Sequence, residues 1–164
     1  MSETFTGKVW VLGDDIDTDI IIPTEYLALK TVQDMTPYAF SPLRPELASQ
    51  IKPGDIIVAG KNFGCGSSRE QAPEIIKALG IQCVIAKSFA RIFFRNAINN
   101  GLLLIEQPNL YDDIKEGDTI TVKMNEHVDY NGKTYPIAAL PENLMDIIQA
   151  GGLVKAMRKR NGLD

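Results

Sequence analysis

Two cysteines, a single histidine and no long hydrophobic run are what this chain of 164 residues has least of, and each scarcity excludes something. Cys65 and Cys83 stand 18 positions apart and neither belongs to a Cys-x-x-Cys pair, so zinc ribbons and redox dithiols do not fit. Two thiols are also too few for an iron–sulfur cluster, which takes three cysteine thiolates even when one iron is left open. His127, the one histidine, lies in a polar stretch remote from any serine-rich loop, which argues against a Ser–His hydrolase. The longest apolar runs are only strand length, and Met1-Ser-Glu-Thr-Phe-Thr-Gly-Lys8 carries no apolar signal region, so the expectation is a cytoplasmic protein with no membrane partner. Excess basic charge is missing too. Net charge is −4 and no basic face is evident, which speaks against nucleic acid as a partner. The basic tail Lys155–Arg160 reads as a solvated helix end. There is no internal repeat, and the length predicts a single domain over residues 1–164.

What is present is an α/β pattern. Residues 8–12, 55–59, 81–86 and 102–105 read as strands. Between the second and third lies a helix ending before Gly80, and between the third and fourth a helix over about residues 89–100 with Gly101 at its C-terminus. Two successive β-loop-α units predict parallel strands. Residues 119–124, 128–130 and 134–137 read as an antiparallel ribbon with Asn131-Gly132 as a tight turn, followed by a helix over 141–150. The proline-punctuated stretch 14–50 has little periodicity, and long irregular segments in compact domains are commonly functional.

The most informative stretch is Gly60-Lys-Asn-Phe-Gly-Cys-Gly-Ser-Ser-Arg-Glu-Gln-Ala-Pro73, which leaves a strand and enters a helix. Ser68-x-x-Gln71 and Ser67-x-x-Glu70 each fit a capping box, so a serine is expected to cap that helix with Arg69 in its first turn. A cation there is unfavourable unless an anion offsets it, and the amides and dipole of a helix start favour a carboxylate or phosphate. The loop lacks the Gly-Lys-Ser/Thr ending of a P-loop, the third glycine of a dinucleotide fingerprint and the Gly-x-Ser-x-Gly of a nucleophile elbow. Cys65, near the predicted helix start, reads as a small packing residue. Asp14, Asp15, Asp17 and Asp19 lack the downstream glycine and glutamate of an EF-hand and suit an exposed turn. Arg91 and Arg95 fall on one helical face, suited either to binding anions or to covering the surface, and are not assigned to catalysis.

Residues 62–73, together with Gly13-Asp-Asp-Ile-Asp-Thr-Asp-Ile-Ile-Ile-Pro23 and Ala86-Lys-Ser-Phe-Ala-Arg-Ile-Phe-Phe-Arg-Asn96, resemble the small subunit, or swivelling domain, of the aconitase superfamily, most closely its isopropylmalate dehydratase branch. The resemblance spans most of residues 7–105 in order and spacing. It implies a swivelling β/β/α three-layer fold with a parallel central sheet and an antiparallel ribbon. It also implies a hydro-lyase working on a small hydroxy-dicarboxylate, with the [4Fe–4S] cluster held by a separate large subunit and no metal on this chain. Carried over residue by residue, Ser67 is the catalytic base and Ser68 and Arg69 bind substrate carboxylate. Asp19 is a carboxylate lying behind those contacts. Substrate choice falls to the loop Tyr26-Leu-Ala-Leu-Lys-Thr31, where tricarboxylate enzymes of the family carry an arginine after Tyr-Leu. Ala28 in that place, with Leu29, suits an apolar branch, because a buried guanidinium would be left unpaired against it. Lys30, two positions on, leaves homoaconitase open as an alternative, alongside other alkylmalate dehydratases and a non-enzymatic carboxylate-binding subunit.

Overall fold

The computed structural model describes residues 4–162. Seven strands form one mixed sheet in the order β4-β3-β2-β1-β5-β6-β7. β1 (Thr4–Val11), β2 (Ile56–Ala59), β3 (Cys83–Ala86) and β4 (Leu103–Glu106) run parallel, and β5 (Thr119–Lys123), β6 (His127–Tyr130) and β7 (Lys133–Pro136) continue as an antiparallel ribbon. β1 belongs to both halves. Its Thr4–Lys8 stretch pairs with β5 and its Val9–Val11 stretch pairs with β2, which is why the strand begins earlier than its apolar pattern predicts.

β2 and β3 are buried at every position, the continuous apolar reading expected of parallel strands covered on both faces. Alternate side chains go to two different cores. Val9, Ile56, Val58, Cys83, Ile85 and Leu103 pack with Ile120, Val122, Val128 and Tyr135 of the ribbon, so the ribbon curls over one face of the parallel half. Trp10, Ile57, Ala59, Val84 and Leu104 face the helices. Three layers result, β/β/α, as the resemblance implies. The ribbon's hairpin closes at Asn131 (φ 49°) and Gly132 (φ 80°), the paired positive φ angles that make Asn-Gly the strongest short hairpin signal.

The irregular stretch becomes a chain of short turns: α1 (Thr18–Ile21), a 3₁₀ turn at Thr24–Tyr26, α2 (Val32–Met35), a second 3₁₀ turn at Thr36–Tyr38, and α3 (Leu47–Gln50). Each is too short to show a periodicity. Local caps start two of them, the Asp17 carboxylate accepting from the Ile20 amide at 2.9 Å and the Thr31 hydroxyl from the Asp34 amide at 3.1 Å. Their buried residues Ile21, Ile22, Met35, Phe40 and Leu47 join the helix-side core with α4 (Gln71–Ala78) and α5 (Arg91–Asn99). α6 (Leu110–Asp113) follows β4, and α7 (Glu142–Ala150) ends at Gly151 in the left-handed region. The basic tail forms a helix of its own, α8 (Leu153–Arg160), none of whose residues is buried, rather than extending α7. No helix among the described residues is long and apolar enough to cross a membrane.

The far end of the irregular stretch is tied to the sheet by Arg44, which donates to Glu116 Oε1 at 2.6 Å and Oε2 at 3.1 Å. The Val11 amide donates to the same carboxylate at 3.1 Å. The Arg44 hydrogen bond, above all, holds the Glu116 carboxyl below its ordinary value. A depressed carboxyl contributes stability above the unfolded-state value near 4.3 and loses it as pH falls through the folded value. Glu116→Gln should therefore lower unfolding free energy by about 1 kcal/mol at pH 7, the upper range for a partly exposed bidentate pair. Denaturant titrations at falling pH should show this difference shrinking below the carboxylate range; a pH-independent difference would assign the effect to packing.

Candidate active site

Loops following β1, β2 and β3 converge at the carboxyl ends of the parallel strands, where open α/β sheets bind their ligands. The glycine loop after β2 is held from both sides. On one side Asp14 Oδ1 accepts from the Lys61 amide at 2.7 Å, the Ile16 carbonyl from the Gly64 amide at 2.7 Å, and the Cys65 carbonyl from the Thr18 amide at 2.9 Å. On the other the Phe63 amide donates to the Ser88 carbonyl at 3.1 Å and the Ala90 amide to the Phe63 carbonyl at 2.9 Å. The aspartate run is thereby explained. Asp14 and Asp17 accept backbone amides, and Asp15 accepts from Asn62 Nδ2 at 3.1 Å. Among the described residues no group of side chains could hold a metal ion.

The serines do not cap the helix. α4 begins at Gln71, with Glu70 at its N-cap and no side-chain cap bond, so Arg69 precedes the first turn instead of lying in it. Pro73 supplies the reason. It has no amide hydrogen and is tolerated only in the first turn; a start at Arg69 would put it where a helical bond is required. Ser67 and Ser68 are left exposed in a bent, non-helical approach to the helix.

What fixes that approach is its two ends. The Thr18 hydroxyl donates to the Ser67 carbonyl at 2.7 Å. The Arg69 guanidinium, with its side chain 13% exposed, donates to the Ile22 carbonyl at 3.0 Å and to Thr24 Oγ1 at 2.9 Å, and lies 2.5 Å from Asp19 Oδ1. Asp19, predicted to lie behind the substrate contacts, is brought to Arg69, and a guanidinium with five N–H groups retains free donors after these contacts.

Ala28, Leu29 and Lys30 occupy an exposed turn after the 3₁₀ segment Thr24–Tyr26, connected to Arg69 through Thr24. They do not line the cavity of about 220 Å³ that adjoins Ser68. That cavity is bounded by Thr18, Gly64 and Gly66 on one side and by Arg91, Ile92, Phe93 and Asn96 of α5 on the other. Sequence reasoning leaves α5 out of the site residues: Arg91 and Arg95 read there as either anion-binding or surface-covering side chains. The pairing of Phe63 with Phe89 and the packing of Phe63 on Phe93 bring the start of α5 to the glycine loop.

Neither cysteine is activated. Burial first, then the carboxylates of Asp17 and Asp15, push the Cys65 thiol up. Cys83 is fully buried between the sheet and the ribbon, and burial pushes its thiol up further. His127 sits on the ribbon, its Nε2 3.2 Å from Asp129 Oδ1.

Fold and loop together define a class, the α/β domain with a Gly-x-Gly-Ser-Ser-Arg entry at its strand ends, and residues 20–110 match the family described as the Aconitase C-terminal domain. The chain is 80% identical over its whole length, and the whole of the relative's, to a 3-isopropylmalate dehydratase small subunit of Lachnospira eligens. It is 51% identical to a 3-isopropylmalate dehydratase small subunit 1 of Archaeoglobus fulgidus, covering 94% of this chain and 99% of that one. A crystal structure of 3-isopropylmalate dehydratase from Methanocaldococcus jannaschii superposes with a TM-score of 0.92 at 42% identity, covering 98% and 97% of the two chains. The chain belongs to the family of 3-isopropylmalate dehydratase small subunits, within the aconitase superfamily.

Proposed function

We propose that this chain supplies the base and the carboxylate-binding half of a cytoplasmic hydro-lyase that interconverts 2-isopropylmalate and 3-isopropylmalate, a step of leucine biosynthesis, and that it folds as one swivelling domain. One observation carries the reading: residues 67–69 are pinned at the Ser67 carbonyl by Thr18 and at the Arg69 guanidinium by Asp19, Ile22 and Thr24, while both serines stay exposed.

The reaction must remove a weakly acidic proton beside a carboxylate. A serine oxygen is a base for this only where positive charge stabilises it. Ser67, acting as the alkoxide, takes the proton at its Oγ and becomes the neutral hydroxyl, held in place because its carbonyl is anchored by Thr18. Ser68 and the free donors of Arg69 bind a substrate carboxylate, a task that suits a planar fork. Asp19 orients Arg69 and offsets its charge in the absence of substrate. The turn Ala28-Leu29-Lys30, the candidate for substrate choice that the resemblance offers, lies beyond Thr24 and outside the cavity beside Ser68.

The iron–sulfur cluster implied for the superfamily does not fit this chain. Three thiolates are needed; the chain has two cysteines, one of them sealed in the core on the ribbon side of the sheet, and no group of side chains among the described residues could hold a metal ion. The cluster and the remaining contacts therefore belong to a large subunit. Purified anaerobically, the chain alone should carry no iron and show no turnover of isopropylmalate, and both should appear on adding the large subunit. Turnover by the isolated chain would overturn the two-subunit reading.

A further inference from the structure

We propose that Ile92, at the second position of α5, contacts the aliphatic branch of the substrate and sets the preference among alkylmalates. This rests on the dehydratase reading above and assigns it a residue.

The helix α5 buries Phe93, Ala97 and Ile98. Ile92 is off that stripe and 59% exposed, so the core makes little use of it. A lone exposed aliphatic residue is ordinary. This one, however, lines the same cavity of about 220 Å³ as Ser68. The lining divides by chemistry. Thr18, Ser68, Arg91 and Asn96 offer hydroxyl, guanidinium and amide groups. On the apolar side Phe93 is 4% exposed and packed edge-on against Phe63, and Ala90 presents only a methyl. Ile92 is the large apolar side chain in this lining still accessible to a ligand. A hydroxy-dicarboxylate with one hydrocarbon branch has matching poles: two carboxylates and a hydroxyl for the polar groups, the branch for Ile92. The turn Ala28-Leu29-Lys30, the sequence-based candidate for this task, does not line the cavity.

The test uses the assembled two-subunit enzyme and two substrates, isopropylmalate and the malate bearing a methyl branch. Ile92→Thr keeps the β-branched shape and replaces a hydrocarbon arm by a hydroxyl. Losing one hydrocarbon contact changes discrimination about 10- to 200-fold. Ile92→Thr should lower kcat/KM for isopropylmalate at least about tenfold, mainly through KM, and leave the methyl substrate within about twofold. An equal loss on both substrates, or a KM effect that disappears at saturating large subunit, makes Ile92 a packing or docking residue and overturns the assignment. So does unchanged selectivity in an active variant. A parent enzyme that turns over neither malate overturns the dehydratase reading itself, a result distinct from both.

Discussion

Ser67→Ala in the assembled enzyme should cut kcat roughly 10²–10⁴-fold while leaving KM for isopropylmalate nearly unchanged, the range expected when a positioned proton acceptor is removed. Binding should survive because the carboxylate contacts are assigned to Ser68 and Arg69, which the substitution does not touch. The fold should survive as well. Ser67 anchors the loop through its carbonyl, which accepts the Thr18 hydroxyl at 2.7 Å, and alanine keeps that carbonyl. A matched denaturation midpoint together with a collapsed kcat is the result that supports Ser67 as the base. Activity within tenfold of the parent removes Ser67 from that role, and a rise in KM with kcat intact reassigns it to binding.

Where the sequence and the structure part company, long-range contacts are the cause. The parallel strands were legible because β2 and β3 carry unbroken apolar runs, and the ribbon because Asn131-Gly132 allows the turn. The helix after the glycine loop was legible, but its start was not. Two capping-box patterns point to the serines, and Pro73, three residues into the helix, overrules both. The short helices of residues 18–50 leave no periodic trace because they are defined by where they dock: the Thr18 amide donates to Cys65, and the Phe40 amide to Ile21. Within the site, residues 67–69 could be selected from their order alone. Of the groups that hold Arg69, Asp19 is named through the resemblance alone, and Ile22 and Thr24 are not named at all, because all three reach Arg69 across more than 40 positions. The same holds for α5, whose first turn enters the site through the bridge between Phe63 and Phe89 and the packing of Phe93 on the glycine loop.

The two glycines of the loop answer to different constraints, and substituting each tests how the loop is built. Gly64 and Gly66 both have positive φ, 84° and 90°, so alanine at either costs about 1–2 kcal/mol in backbone strain. At Gly66 little is added, since a Cβ would meet nothing closer than Asp17 Cβ at 3.4 Å. At Gly64 a Cβ would lie 2.2 Å from Phe93 Cγ, and Phe93 cannot yield easily. Its ring is buried, lies 5.5 Å from the Phe63 ring at 66°, and belongs to the helix that pairs with this loop. Overpacking of that kind costs a further 1–3 kcal/mol or so. Gly64→Ala should thus lose about 2–5 kcal/mol of stability against about 1–2 for Gly66→Ala. It should also lose most activity, because the contact it spreads apart is the one that seats α5 beside Ser68. Denaturation of the two variants side by side, with kcat for each, is the measurement. Equal stability losses would mean that Phe93 gives way freely and that the loop and α5 are not locked together.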